Sequence, residues 1–521
     1  MFDYLRRLAT TGTAYTASSV LSKLIAVFLL PIYTHYLTPS DYGAAEVMLA
    51  SVIAASIVVR LGIIEAILRF YYMAGERPAA VVATGFASLF WGATILAALA
   101  LPFAAPISDA LLGHEDATLA RLAILGLWAL TMYEYALTLL RLDERAHAYF
   151  GITIVNVLIT IPFTVFLIVV EGERANGILL GTYGTGAVVT FWMLWRQRRR
   201  LSFIPDGALL RRMFRFGLPT MPAELSLYSL NFIDRIILAR MVGLAEVGLY
   251  ALAVKFAQAM QVLARGFQLA WPPLAYSIRD DDEARRVYAA IFTWFAAALA
   301  FAVIGLWLES RWIVRLLAAP EYFPSYQAVG LVATGIALYA LYLAMVVILG
   351  RTGRTEFSFP ATIAAVVTNV LLNVLLVPSH GIVGAGLALV ASYVIVLGLM
   401  YLFTQRLFWV PYEWRRLALI LLSAAAIVGA GEVLLPTSGA IGLLSRGVLW
   451  LVYPLVLFAL GFLHPEERSG LGDLLRPSAI ATRARGLRSA PAEEEPEGEE
   501  RPGLGPEVYE VAARDEDRSG T

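Results

Sequence analysis

FRFGLPTMPAELSLYSLNFIDRIILARMVGLAEVGLY (Phe214–Tyr250) is apolar enough to cross a bilayer, yet it carries Glu224, Asn231, Asp234 and Arg235 within the apolar run. Charges at bilayer depth cost about 2.5–3.5 kcal/mol each on insertion scales. A helix that keeps several must turn them toward a wet cavity or another helix. Helical spacing sorts them: Glu224, Tyr228, Asn231 and Arg235 follow at i, i+4, i+7 and i+11 and share one face, with Asp234 beside Asn231.

The rest of the chain is apolar in the same way. Of 521 residues, 59% are hydrophobic and 15% charged, where a soluble domain is about a quarter charged. Long apolar runs recur from Leu8 to Leu463, which defines an all-α polytopic membrane protein; a β-barrel would show short alternating strands instead. The pattern predicts fourteen transmembrane helices, near 11–36, 43–71, 79–104, 119–140, 149–170, 176–196, 212–242, 246–276, 287–309, 325–350, 356–377, 382–405, 415–435 and 443–463. The N-terminal apolar stretch has no small-residue cleavage site and reads as the first span, not a removable signal. Without cysteine there is no disulfide, thiol catalysis or thiolate metal site. The five histidines are scattered, and Walker A and GxSxG motifs are missing. ATP hydrolysis and acyl transfer are disfavoured, and no enzyme is expected.

Arginine sets the orientation. With both termini in the cytoplasm, the basic loops fall inside: Arg196, Arg198, Arg199, Arg200, Arg211, Arg212 and Arg215 between spans six and seven, then Arg279, Arg285 and Arg286, then Arg406, Arg415 and Arg416. Topology alone accounts for such a bias. The outer loop Gly113–Ala117 (GHEDA) is acidic, and residues 466–521, rich in Glu, Pro and Gly, read as a disordered acidic cytoplasmic tail.

The chain also repeats itself at an offset of about 205 residues. DYGAAEVMLA (Asp41–Ala50) aligns with EVGLYALAVK (Glu246–Lys255), so that Gly43 meets Gly248, Arg60 meets Arg265 and Tyr71 meets Tyr276. Further on, GITIVNVLIT (Gly151–Thr160) resembles the run Thr362–Leu376, and ANGILLGTYG (Ala175–Gly184) resembles HGIVGAGLAL (His380–Leu389). Six spans per unit preserve orientation, giving parallel repeats with a cavity between them. The expected division is an N-terminal bundle, 1–205, a C-terminal bundle, 206–410, two additional helices, 411–465, and the tail.

The polar residues of other spans fit this arrangement. In span eight Lys255, Gln258 and Arg265 form a stripe flanked by Gln261; in span one Thr16, Ser19 and Lys23 share a face; in span two Arg60 stands in the apolar run and Glu65 and Arg69 form an i,i+4 pair. Lysine occurs only twice, at Lys23 and Lys255, and both positions are intramembrane. Arginine's planar fork does not replace a compact ammonium everywhere. The deeper positions lean positive, with Lys23, Arg60, Arg235, Lys255 and Arg265 against Glu65, Glu224 and Asp234; Arg69, Arg240 and Glu46 are placed near span ends, where snorkelling is cheap. A cationic cavity suits an anion such as phosphate. Asp234 and Arg235 could instead pair as structural glue, and Glu224 or Asp234 could bind a coupling H⁺ or Na⁺.

These residues resemble a known family. Phe216–Phe256 (FGLPTMPAELSLYSLNFIDRIILARMVGLAEVGLYALAVKF) is similar to the centre of polysaccharide (O-antigen type) flippases of the multidrug/oligosaccharidyl-lipid/polysaccharide (MOP) superfamily. Leu29–Gly43 (LLPIYTHYLTPSDYG) looks like their first hairpin, Leu61–Tyr72 like the end of their second span, and Thr368–Tyr393 like their NxxLN–P–G–GA signature. The resemblance covers about residues 1–465. It implies a MATE/flippase-like fold of two six-helix bundles plus two helices. It also implies alternating access for a polyprenyl-pyrophosphate-linked oligosaccharide, with Lys23, Arg60, Arg235, Lys255 and Arg265 on the pyrophosphate. Glu224, Asn231, Asp234 and Gln258 would be the cavity's polar or ion-coupling groups. Expected partners are the lipid-linked oligosaccharide, membrane lipids, a polysaccharide polymerase and glycosyltransferases, with no nucleic acid. A lipid II flippase and a cation-coupled multidrug exporter share the fold and remain alternatives; the cationic lean argues against a cationic drug.

Overall fold

A computed structural model describes residues 29–464 except Ala74 and Asn231. Most of the first span, with Thr16, Ser19 and Lys23, therefore lies outside the described residues, as do Asn231 and the acidic tail. The described part is helical, with no strand. Its helices are α1 (Leu30–Tyr36), α2 (Pro39–Arg60), α3 (Ile63–Phe70), α4 (Pro78–Ala100), α5 (Ala104–Leu112), α6 (Ala117–Leu142), α7 (Ala146–Val169), α8 (Arg174–Leu179) and α9 (Thr185–Arg196). There follow α10 (Gly207–Gly217), α11 (Thr220–Ser229), α12 (Ile233–Met241), α13 (Leu244–Ala257), α14 (Ala259–Ser277), α15 (Asp281–Leu317), α16 (Tyr326–Thr352), α17 (Ser358–Leu407), α18 (Trp414–Leu434) and α19 (Gly439–Ala459).

Local sequence explains the boundaries that matter for the centre of the molecule. TPSD starts α2: the Thr38 hydroxyl accepts from the Asp41 amide, the Asp41 carboxylate accepts from the Thr38 amide, and Pro39 supplies the first helical φ. The helix stops at Leu61 and Gly62, both left-handed (φ 46° and 69°). The span expected at 43–71 is thus two helices, because LG forms a turn where hydropathy alone sees a continuous run. The span expected at 212–242 is likewise broken: Pro219 separates α10 from α11, and α12 begins only at Ile233. Hydropathy cannot register such breaks, since the residues on either side stay apolar. Between α13 and α14 the axis bends by 45° at Gln258.

Among the described residues ten helices are long and apolar enough to cross a membrane, eleven with the bent α13–α14 pair. The described residues of this multi-pass membrane protein thus show fewer uninterrupted spans than the fourteen expected: most of the first lies outside the described residues, the seventh is in pieces, and the eleventh and twelfth are the two halves of α17. Straight, its 50 residues would reach about 75 Å, over twice the hydrocarbon core of about 30 Å. Gly381 breaks it with φ 52° and ψ −130°, a conformation open essentially to glycine alone. The Glu246 carboxylate accepts from the Ile382 amide at 3.2 Å and caps the second half.

The centre is built from α2, α13 and α16. Nearly the whole of α13 is buried, from Val247 through Ala253 and on to Phe256 and Ala257. In contrast, little of α7 is buried, which is how an apolar helix that faces lipid should look.

Candidate functional site

The polar residues that α2, α12, α13 and α14 carry inward meet in a cavity of about 530 Å³. On α2, Glu46, Leu49, Ala50 and Ile53 line it at i, i+3, i+4 and i+7; α12 adds Asp234 and Arg235, and α13 and α14 add Lys255, Gln258, Gln261, Arg265 and Gln268. Tyr183, Tyr228, Tyr250, Tyr339 and Tyr393 complete the wall. The bend at Gln258 keeps Lys255 and Arg265 on one cavity face although they lie on separate helices.

Glu46 organises the charges. One carboxylate oxygen lies 3.2 Å from the Lys255 ammonium and the other 3.7 Å from the Arg235 guanidinium. At 6% side-chain exposure Glu46 is shielded from water, while Lys255 keeps 25%. Glu46 therefore belongs to the cavity, not to a span end: α2 starts at Pro39, so Glu46 is two turns into it. Its spacing to Ala50 and Ile53 is the signal that finds it.

Asp234 does not pair with the Arg235 side chain. Its Oδ1 accepts from the Arg235 backbone amide at 2.8 Å and its Oδ2 from the Tyr250 hydroxyl at 2.7 Å, with the residue buried. The first bond helps to satisfy the amides at the start of α12, and the second fastens α12 to α13. Among the described residues the Arg235 side chain is left with Glu46, and its Nε has no hydrogen-bond partner.

The five-cation grouping expected from the sequence is only partly assembled. Arg235, Lys255 and Arg265 line one cavity. Arg60 does not line it; its guanidinium donates to Glu224 at 2.9 Å and to the Ser56 carbonyl at 3.2 Å, which joins α2 to α11. Glu224 is accordingly drawn away from the cavity, and the continuous face Glu224–Tyr228–Asn231–Arg235 fails because the helix breaks between α11 and α12. Tyr228 and Arg235 still reach the cavity; Asn231 and Lys23 lie outside the described residues. Gln258 lines it as expected. Arg69 does not pair with Glu65: its guanidinium stacks 4.5 Å over the Phe216 ring. Arg265 is exposed to the cavity without an ion pair among the described residues. With Arg235, Lys255 and Arg265 against Glu46 and Asp234, the lining is net positive by one (3 − 2). Among the described residues no group of three or more His, Asp or Glu side chains could hold a metal ion.

The helical arrangement matches the fold of solved membrane transporters. A lipid II flippase, MurJ, in an inward closed conformation superimposes with a TM-score of 0.69 over 87% of this chain and 98% of that one, at 13% identity. An inward-facing multidrug resistance MATE transporter gives 0.60 over 78% and 95%, at 16% identity. A family model described as polysaccharide biosynthesis protein matches residues 9–278, just over half of the sequence, and the chain belongs to that family. A probable flippase of Haloferax volcanii, AglR, is 26% identical over 229 residues, which span 42% of this chain and less than half (45%) of that relative.

Proposed function

We propose that this protein is a flippase that carries a polyprenyl-pyrophosphate-linked oligosaccharide across the plasma membrane by alternating access between two six-helix bundles, with both termini cytoplasmic. The carrying observation is the free cationic capacity of the cavity. Among the described residues Arg265 has no ion pair, the Arg235 Nε has no acceptor, and Lys255 and Arg235 share the single carboxylate of Glu46. Two partly buried cations on one anion leave donors for a second anion, and a pyrophosphate offers the oxygens that an arginine fork and an ammonium recognise. Cavity tyrosines and glutamines supply the apolar faces and neutral donors that sugars use. The polyprenyl chain stays in lipid. The family description, polysaccharide biosynthesis protein, supports an oligosaccharide cargo, the AglR match supports a flippase, and the net positive lining argues against a cationic drug. Protons or Na⁺ would supply the driving force, and a polymerase and glycosyltransferases would act before and after the flip.

Reconstituted vesicles carrying a fluorescent lipid-linked oligosaccharide test this reading. Lys255→Ala and Arg265→Ala should each abolish translocation while leaving the protein folded and inserted. Normal translocation by both variants would overturn the assignment of the cavity.

A further inference from the structure

Sharing no lining residue with the cavity, the ends of α6, α7 and α9 enclose a crevice of about 450 Å³. Arg145, Arg196, Arg199 and Arg200 line it together with one acid, Asp143. Its floor is apolar: Leu140, Ala148, Ile152 and Met193, with Trp192 at the rim. Two of the arginines are engaged. Arg200 donates to Asp143 at 2.8 Å and to Gln197 at 3.0 Å, and the Arg196 guanidinium lies 5.2 Å from the Trp192 ring centre. The Arg145 and Arg199 side chains are exposed and make no hydrogen bond or ion pair among the described residues. The nearby Arg212, by comparison, is paired with Glu76 at 2.7 Å.

Orientation in the membrane requires only a count of positive charges on one side. It does not require four arginines to converge on a concave, apolar-floored crevice, nor two of them to remain unspent there. The exposed rings of Phe191, Trp192 and Trp195 on the same helix end are the residues that settle at the boundary between hydrocarbon and water. A ligand with a phosphate and an alkyl chain matches all of this: guanidinium forks for the phosphate oxygens, and Ile152 and Trp192 for the chain.

We propose that this crevice binds a phosphate-bearing ligand on Arg145 and Arg199, supplied by an anionic membrane lipid whose chain lies along Ile152 and Trp192. Arg199 and Arg200 open the connection from α9 to α10, and Arg200 already ties that connection to Asp143 at the end of α6. A lipid bridging Arg199 and Arg145 adds a second tie across the same junction. This site does not depend on the cargo proposed for the central cavity.

Thermal unfolding of the purified full chain in a neutral detergent tests it, followed by tryptophan fluorescence. Phosphatidylglycerol should raise the Tm of the unsubstituted protein by a few degrees, because a ligand that binds only the folded state stabilises it. Phosphatidylcholine should have little effect. The Arg145→Gln/Arg199→Gln double variant should lose the shift, whereas Arg279→Gln/Arg286→Gln, which removes two exposed arginines elsewhere, should keep it. Both pairs are exposed, so both variants should elute as folded protein on size exclusion. No shift with phosphatidylglycerol, an equal shift with phosphatidylcholine, or an equal loss in both double variants would overturn the proposal. Inorganic phosphate and pyrophosphate are the remaining arms: a shift equal to that of the lipid, lost in Arg145→Gln/Arg199→Gln, would support the phosphate site and overturn the lipid as its source.

Discussion

Gly43 on α2 and Gly248 on α13 lie back to back at the crossing of the two helices. A Cβ on Gly43 would overlap the Leu244 carbonyl oxygen, and a Cβ on Gly248 would overlap the Pro39 carbonyl oxygen. The two contacts exchange under one offset, since 248 − 43 and 244 − 39 both equal 205. Contacts across a two-fold axis exchange in this way, so the crossing supports the repeat read from the sequence. It also brings Glu46 on α2 opposite Lys255 on α13.

That crossing should tolerate no side chain on either helix. Gly43→Ala and Gly248→Ala should each destabilise the protein, by similar amounts of about 1–3 kcal/mol, because the obstructing atom is a backbone carbonyl that cannot rotate away. Once one variant has spread the helices the second should cost less, so the double variant should be sub-additive. Gly186→Ala, where a Cβ meets nothing within 4 Å, should be neutral or stabilise by up to about 1 kcal/mol. Thermal unfolding in detergent measures all four, and wild-type stability in Gly248→Ala would contradict the close approach.

Glu46 should matter for stability before it matters for transport. Glu46→Gln leaves Lys255 and Arg235 without their shared anion in a partly buried site, a loss of about 1–3 kcal/mol for a charged group left unpaired. Glu46→Gln/Lys255→Gln should recover part of that loss, because one of the two stranded cations is gone. A double-mutant cycle reads the coupling directly, and full additivity would show that the 3.2 Å contact carries no energy.

Gly381 and Glu246 should act together in shaping α17. The backbone at Gly381 is accessible essentially to glycine, and a Cβ there would also press on the Glu246 carboxylate. Gly381→Ala should therefore cost about 1–3 kcal/mol from backbone strain alone. Glu246→Ala removes only the acceptor for the Ile382 amide and should cost about 1 kcal/mol. Unfolding midpoints should rank wild type, Glu246→Ala and Gly381→Ala in that order, and a reversed order would place the strain elsewhere.

The ease of reading this molecule from its sequence tracked the range of the interactions involved. Helical class follows from hydropathy, and the Lys255–Gln258–Arg265 stripe from spacing, because both are local. The capping of α2 was present in TPSD, and the turn before Ile382 in the glycine at 381. What stayed hidden depends on partners distant in sequence. Nothing near Arg60 says that it will meet Glu224, and nothing near Glu46 says that it will hold Lys255. The break between α11 and α12 was hidden for another reason: Leu230 and Phe232 are as apolar as the helices they interrupt, so neither composition nor period marks it.

Asp234 offers the sharpest division between holding the structure and moving a cargo. Both of its oxygens are occupied, by the Arg235 amide and the Tyr250 hydroxyl, which is the pattern of a brace between α12 and α13. Tyr250→Phe strands a buried carboxylate oxygen and should cost about 1–3 kcal/mol. Asp234→Asn should cost less, since its amide oxygen still accepts from the Arg235 amide and its NH₂ can donate to the Tyr250 hydroxyl oxygen. Combining the two should give less than the sum, because they act on one bond. A brace of this kind predicts that Asp234→Asn, assayed well below its unfolding midpoint, translocates lipid-linked oligosaccharide at close to the wild-type rate, while Lys255→Ala in the same vesicles does not. A stable Asp234→Asn that fails to translocate would assign the carboxylate's charge to transport, with a coupling proton or Na⁺ as the first ligand to test.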